Sequence, residues 1–329
     1  MQNNSNIKKI AVFTSGGDAP GMNAAIRAVV RTCRYYNIIP YGIQRGYDGM
    51  VKGDIIKMDS GKVANIIHRG GTILKTARSE AFRSPEGRKQ AYENLKEMEI
   101  DACVAIGGNG TYTGALKFTQ EFDIPIVGIP GTIDNDIAGT DYTIGFDSAI
   151  NTALEAIDKI RDTADSHNRL FFIEVMGRHA GFIALNSGIG SGAAKIFLPE
   201  VSTDLDDLIS SLKKSAERNK LFNLVIVAEG NNIGSTYEIS ELIKSKIPEY
   251  DIRVAIIGHL QRGGSPTCFD RVLASRLAHS AVEALLQGES GKAIGLVNNK
   301  ISITDFNEAI YGTKTLNEEL IRMAEILAM

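Results

Sequence analysis

The sequence predicts an α/β fold built from βαβ units around mostly parallel sheets. Short apolar runs rich in Val, Ile and Phe alternate with helical stretches of roughly 10 to 18 residues. Glycine clusters follow most of those runs, as they do where a strand turns sharply into a helix. The 329 residues are enough for two ordinary domains with sizeable cores.

In chain order, IKKIAVFT (7–14) predicts a strand and GMNAAIRAVVRTCRYY (21–36) a helix. IDACVAIGG (100–108) predicts a buried strand, Thr113 to Phe122 a helix and IPIVGI (124–129) a further strand. A helix is expected around 147–163, a strand at LFFIEVM (170–176), a helix over 179–189, a short strand at KIFLP (195–199) and a helix over 204–219. LVIVAE (224–229) and VAIIGH (254–259) predict strands flanking a helix around 235–246. A long helix over 269–287 follows, able to pack back onto the first set. Two sets of units therefore divide near residue 145, with domains discontinuous in sequence.

The formal net charge is -3 and basic residues are scattered, which argues against a nucleic-acid or membrane-surface binder. Cys33, Cys103 and Cys268 are few and far apart, as expected of reduced thiols without a disulfide or metal framework. MQNNSNIKKI has no apolar core of a signal peptide, and no apolar run nears the ~18 residues of a membrane span. A soluble cytoplasmic protein is expected.

In open parallel sheets ligands sit beyond the carboxyl ends of strands. SGGDAPGMN (15–23) and GGNGTYTG (107–114) each leave a predicted strand and enter a predicted helix. Glycine lets an anion approach the backbone, and a helix N-terminus offers N–H groups with partial positive charge. Two such turns suit a polyphosphate. Neither contains GK[ST] or a clean GxGxxG, so a P-loop and a dinucleotide fingerprint are both unsupported. Arginines must then meet the phosphate charge, with Arg69, Arg78, Arg83, Arg169, Arg178, Arg253 and Arg262 as candidates in loops.

PGTIDND (130–136) follows the strand IPIVGI. In an extended segment Thr132, Asp134 and Asp136 would share one face, with the carboxylates about 6–7 Å apart. One could act as a base on a substrate hydroxyl while the other holds Mg²⁺ on phosphate oxygens. Asp and Asn also favour turns through their own backbone bonds, so a purely structural acidic turn stays open.

SGGDAPGMNAAIR, HRGGTILKTAR, IGGNGTYTGA, PGTIDND, GTDYTIGFDSA, VMGRHAG and GHLQRGGSP together resemble the ordered motifs of bacterial-type 6-phosphofructokinases. The likeness runs from about residue 7 to 290. It implies two Rossmann-like αβα domains with the active site in the cleft between them. The larger, ATP-binding domain would span 1–144 plus 261–311, and the smaller, fructose-6-phosphate-binding domain 145–260 plus 312–329. The implied reaction moves the γ-phosphoryl of ATP to the 1-hydroxyl of fructose 6-phosphate, assisted by Mg²⁺.

By this resemblance Asp134 is the general base, Asp136 a Mg²⁺ ligand and Thr132 a partner of the sugar phosphate being built. Gly17, Tyr47, Arg78, Ser79, Gly108, Asn109, Gly110 and Thr111 would line the ATP site, with Arg78 bridging donor and acceptor. Arg178 would stabilise the transferring group. Ile133, Met176, Gly177, Glu229, His259, Gln261 and Arg262 complete the sugar-phosphate set, and Arg169 and Arg253 would reach a neighbouring subunit's site in a homotetramer. Asn109 stands where the family usually has an Asp that addresses Mg²⁺ through water, and Ser79 where an aromatic often lies.

Gly110 and Gly131 occupy positions where pyrophosphate-using relatives carry Asp and Lys, which points to ATP as donor. Family effector residues survive at Arg27, Arg31, Arg161, Arg218 and Lys220, while Asp54, Ala194 and Phe222 replace others. Weak or absent control by ADP and phosphoenolpyruvate is expected. A pyrophosphate-dependent enzyme, a nucleotide or lipid kinase and a non-catalytic sugar-phosphate-binding subunit remain the alternatives.

Overall fold

The computed structural model describes residues 6–165, 169–202, 205–217, 223–248 and 250–328. The chain divides into two compact units: Met1–Ile133, Ile137–Ser148 and Arg262–Lys314 form the first, and Asp134–Asp136, Ala149–Gln261 and Thr315–Met329 the second.

The first unit begins with β1 (Lys9–Thr14), α1 (Met22–Tyr35), β2 (Ile39–Ile43), α2 (Tyr47–Lys52), β3 (Ile55–Lys57) and α3 (Pro85–Glu97). It continues through β4 (Ala102–Gly107), α4 (Asn109–Glu121) and β5 (Ile126–Pro130), and α5 (Phe146–Asp165) contains the boundary. The second unit holds β6 (Arg169–Val175), α6 (Phe182–Gly190), β7 (Lys195–Phe197), α7 (Leu205–Glu217), β8 (Asn223–Ala228), α8 (Thr236–Lys246) and β9 (Asp251–Ile256). The chain then returns to the first unit with α9 (Cys268–Leu286), β10 (Lys292–Val297), β11 (Lys300–Asp305) and α10 (Phe306–Tyr311), and α11 (Glu318–Leu327) ends in the second.

The first sheet has the order β11-β10-β5-β4-β1-β2-β3 and the second β7-β8-β6-β9. All pairs are parallel except β2 with β3 and β10 with β11, so both units have the expected α/β class. Ala11, Phe13, Cys103, Tyr112 and Phe118 belong to the first core, and Leu170, Phe172, Val225 and Ile243 to the second. β1 and β4 are buried along almost their whole length, as strands covered on both faces are. Among the described residues no helix is long and apolar enough to cross a membrane. Cys33 and Cys103 are buried, and burial pushes each thiol up to about 12.

Helix starts differ in a way that matters for the site. Ser84 caps α3 by accepting from Gly87 N at 3.0 Å, Ser235 and Glu238 form a capping box on α8, and Thr267 caps α9. The caps of α1 and α4 are Gly21 and Gly108, neither of which can offer a side-chain oxygen, and neither first turn is acidic. Those two helix N-termini keep their positive ends for another acceptor.

Candidate active site

In the first unit β1 has β2 on one side and β4 on the other, so the strand order reverses between β1 and β4. In open α/β sheets such a switch point, beyond the strands' carboxyl ends, is where ligands bind. Two helices without a side-chain cap, α1 and α4, start there. The turns before them are tied together: Ser15 N donates to Ile106 O at 3.0 Å, and Thr111 Oγ1 donates to Ser15 O at 3.1 Å. The turn after β5 joins the row, since Gly131 N donates to Gly107 O at 3.0 Å. The structure thus brings together Gly17, Gly108, Asn109, Gly110, Thr111 and Thr132 on three adjacent strand ends. α4 begins at Asn109 rather than near Thr113, so Gly108 to Thr111 are its cap and first turn.

Tyr47 supports this platform from behind. It is buried, donates its hydroxyl to Thr111 O at 2.6 Å, and stacks on Phe82 with ring centroids 4.1 Å apart. Burial pushes its hydroxyl well above the ordinary tyrosine range, so it stays a neutral donor. Asn23, which sequence reasoning missed, pins the neighbouring loop: its amide donates to Arg69 O and Gly70 O at 3.1 Å and accepts from Ile73 N at 2.8 Å. Arg78 and Ser79 follow on the same loop, Arg78 exposed and Ser79 Oγ accepting from Phe82 N at 3.3 Å. Arg262 NH1 donates to Asp18 O at 3.1 Å, and its guanidinium lies so close to Gly17 that a Cβ there would meet NH1 at 2.6 Å.

The acidic segment corrects one expectation. Asn135 has φ 55°, in the left-handed region, with bends at Ile133 and Asp134. The segment is therefore not extended, and alternation along a strand does not place Asp134 and Asp136. Their environments differ instead: Asp134 is 4% exposed, whereas Asp136 is half-buried. Asn tolerates the left-handed region better than most residues, which explains the residue between them. Thr132 O is held by Thr143 Oγ1 at 2.6 Å.

In the second unit β6 lies between β8 and β9. The carboxyl ends of these strands carry Met176, Gly177 and Arg178, then Glu229, then His259 and Gln261. Arg178 is left-handed at φ 55°, and Glu229 Oε1 accepts from its backbone N at 2.6 Å. Met176 and Gln261 are buried, while the side chains of Arg178, Glu229 and His259 are exposed. Arg169 is the first residue of β6, at its opposite, amino end, and Arg253 is the third residue of β9. Of the effector residues, Arg27 and Arg31 lie on α1 and Arg161 on α5, 4.0 Å from Asp158. Arg218, Lys220 and Phe222 lie outside the described residues.

The family description Phosphofructokinase matches residues 9–285. A protein of Cytophaga hutchinsonii named ATP-dependent 6-phosphofructokinase is 54% identical over 98% of both chains. One of Thermus thermophilus named ATP-dependent 6-phosphofructokinase 1 is 53% identical over 98% of this chain and 100% of its own. The solved phosphofructokinase from Saccharomyces cerevisiae has a TM-score of 0.88 and 38% identity over 98% of this chain. The match spans 48% of that yeast chain, about half its length. Sequence, fold and the row of glycine turns agree, and the chain belongs to the phosphofructokinase family.

Proposed function

We propose that the chain transfers the γ-phosphoryl of ATP to the 1-hydroxyl of fructose 6-phosphate, giving fructose 1,6-bisphosphate and ADP. The observation that carries this reading is the pair of helix N-termini without a side-chain cap at the first unit's β1/β4 switch point; the acidic segment follows β5 in the chain. Phosphoryl transfer is catalysed mainly by positioning and by charge stabilisation, and this arrangement supplies both. The first unit would be the ATP-binding domain and the second the fructose-6-phosphate-binding one.

The N–H groups starting α1 and α4 receive the nucleotide's phosphates, with Arg78 bridging donor and acceptor. Asp134 takes the proton of the 1-hydroxyl; its burial suits a base that water must not reach. Arg178 stabilises the transferring group, and Glu229, His259 and Arg262 hold the sugar phosphate.

The donors for a metal fit Mg²⁺. Among the described residues no three His, Cys, Asp or Glu side chains form a metal cage, and Mg²⁺ needs none, binding through one or two carboxylates, water and substrate phosphates. Asp136 would be that carboxylate, with Asn109 orienting a metal-bound water. When bound, Mg²⁺ neutralises charge on the phosphate oxygens.

The place of Arg169 and Arg253 supports a role toward a second subunit in a homotetramer. β6 separates Arg169 from the Arg178 end by six residue steps, ~20 Å at strand rise. One molecule's own carboxyl-end site cannot easily use both ends of that strand.

The test is an assay of the purified chain with fructose 6-phosphate and either ATP or pyrophosphate. Fructose 1,6-bisphosphate and ADP are expected with ATP. Turnover with pyrophosphate alone, or with neither donor, overturns the reading.

A further inference from the structure

One carboxylate holds both of these outlying arginines. β6 and β9 run parallel with Arg169 opposite Asp251 and Phe171 opposite Arg253. Side chains alternate along a strand, so Asp251 and Arg253 share a face, and Arg169, level with Asp251, shares it too. The contacts agree. Arg169 Nε donates to Asp251 Oδ2 at 2.8 Å, Arg253 NH2 donates to the same oxygen at 3.2 Å, and Arg253 Nε lies 3.1 Å from Oδ1.

The trio carries one net positive charge, and the hydrogen bonds from Arg169 and then Arg253, opposed by burial, hold the Asp251 carboxyl below its ordinary value. β9 is the edge of its sheet, and the three side chains remain accessible: 25% for Arg169, 54% for Arg253 and 45% for Asp251. Each guanidinium has five N–H donors, and Asp251 engages at most three of the two arginines' total. The remainder can grip a second anion while the carboxylate stays in place.

We infer that Asp251 is a positioning residue that holds Arg169 and Arg253 as one clamp for the phosphate of fructose 6-phosphate on a second copy of this chain. This rests on the reading of the two arginines given above. Two guanidiniums on long flexible stems repel each other, and a phosphate would otherwise have to order both side chains as it binds. The negative charge of Asp251 also opposes the incoming phosphate, but a half-exposed carboxylate is screened by solvent and salt, so the ordering effect dominates.

The experiment is steady-state kinetics of the full-length enzyme at varied fructose 6-phosphate, with oligomeric state checked for every variant. Arg169→Ala and Arg253→Ala are expected to raise KM for fructose 6-phosphate at least thirtyfold. If neither moves it, the reading of the arginines falls, and the role of Asp251 with it. If they do, Asp251→Asn is expected to raise the same KM about tenfold, with kcat and the KM for ATP within twofold. Asp251→Glu should recover most of the loss, and Asp251→Asn/Arg253→Ala should resemble Arg253→Ala alone, because Asp251 acts through the arginines. An unchanged or lowered KM in Asp251→Asn overturns the inference while leaving the arginines' role intact, as does full additivity in the double variant. Should Asp251→Asn fail to assemble, Asp251→Ser is held to the same criteria.

Discussion

Glu229 Oε1 accepts the backbone N–H of Arg178 at 2.6 Å. Arg178 is held in the left-handed region, at φ 55°, which an L-residue adopts only when its surroundings impose it. Glu229 therefore shapes the turn that aims Arg178, besides any contact with sugar. A residue that only bound sugar phosphate would change KM alone when removed. Glu229→Ala is expected to lower kcat by ~10²-fold as well, because a misaimed charge group loses transition-state stabilisation. Gly230→Ala offers an independent check, since a Cβ there would collide with the Arg178 carbonyl. It should lower kcat with the Glu229 carboxylate still present. Variants that raise KM and leave kcat intact would refute the link.

Asp134 is the buried member of the acidic pair, and Asp134→Ser is expected to lower kcat by ~10²–10⁴ with little change in KM for fructose 6-phosphate, as removal of a general base does. Asp136→Asn should instead raise the Mg²⁺ concentration needed for half-maximal rate. A loss of sugar binding with kcat preserved in Asp134→Ser would show the roles to be misassigned.

Gly110 and Gly131, which stand where pyrophosphate-using relatives of the resembled family carry Asp and Lys, differ in the room around them. A Cβ at Gly110 meets nothing within 4 Å, whereas one at Gly131 meets Ile106 and Met22 at 3.1 Å. Gly110 lies in the first turn of α4, where an acidic side chain favours the helix dipole by ~0.3–1 kcal/mol. Gly110→Asp should thus fold with unchanged or slightly raised thermal stability. Its carboxylate would occupy the space and repel the charge of the nucleotide's phosphates, so KM for ATP is expected to rise at least tenfold. Unimpaired ATP use by a folded Gly110→Asp enzyme would contradict the placement of the nucleotide over this turn.

The turns after β1 and β4 were legible in the sequence because their signal is local: an apolar run, then glycine, then a helical period. The acidic motif was legible in composition but not in shape, since alternation says nothing of a left-handed Asn135. The links that aim and hold the arginines were not legible at all. Glu229 reaches Arg178 across 51 residues and Asp251 reaches Arg169 across 82, and each depends on the register of parallel strands. No residue pattern encodes that register. The β10–β11 hairpin did leave a signal: Asn298 and Asn299, both left-handed, stand between KAIGLV and KISITD, the residue type that two-residue hairpin turns favour. β2 escaped because Pro40 and Gly42 interrupt its apolar run.

Asp270 makes the first unit's stability depend on pH. Its carboxylate, buried in the first turn of α9, accepts from Gly145 N at 2.9 Å, Ser148 N at 2.8 Å and Ser148 Oγ at 2.6 Å. These bonds favour the charged form, but burial outweighs them and raises the carboxyl from 3.8 to about 6. Between those values the folded chain binds a proton that the unfolded chain does not. The group's contribution is therefore complete below pH 3.8 and is lost as pH rises through about 6, a change of about 3 kcal/mol. Carboxylates with lowered values, such as Glu121 beside Arg88, act in the opposite sense, so the effect must be isolated by difference. Asp270→Asn removes the titration and weakens the bonds to Ser148, so it should be less stable than the parent at pH 4.5. The gap between the two melting temperatures should narrow toward pH 7, where the parent has lost its proton. Calorimetric scans of both proteins across that range decide the matter: parallel curves would show that Asp270 does not titrate there.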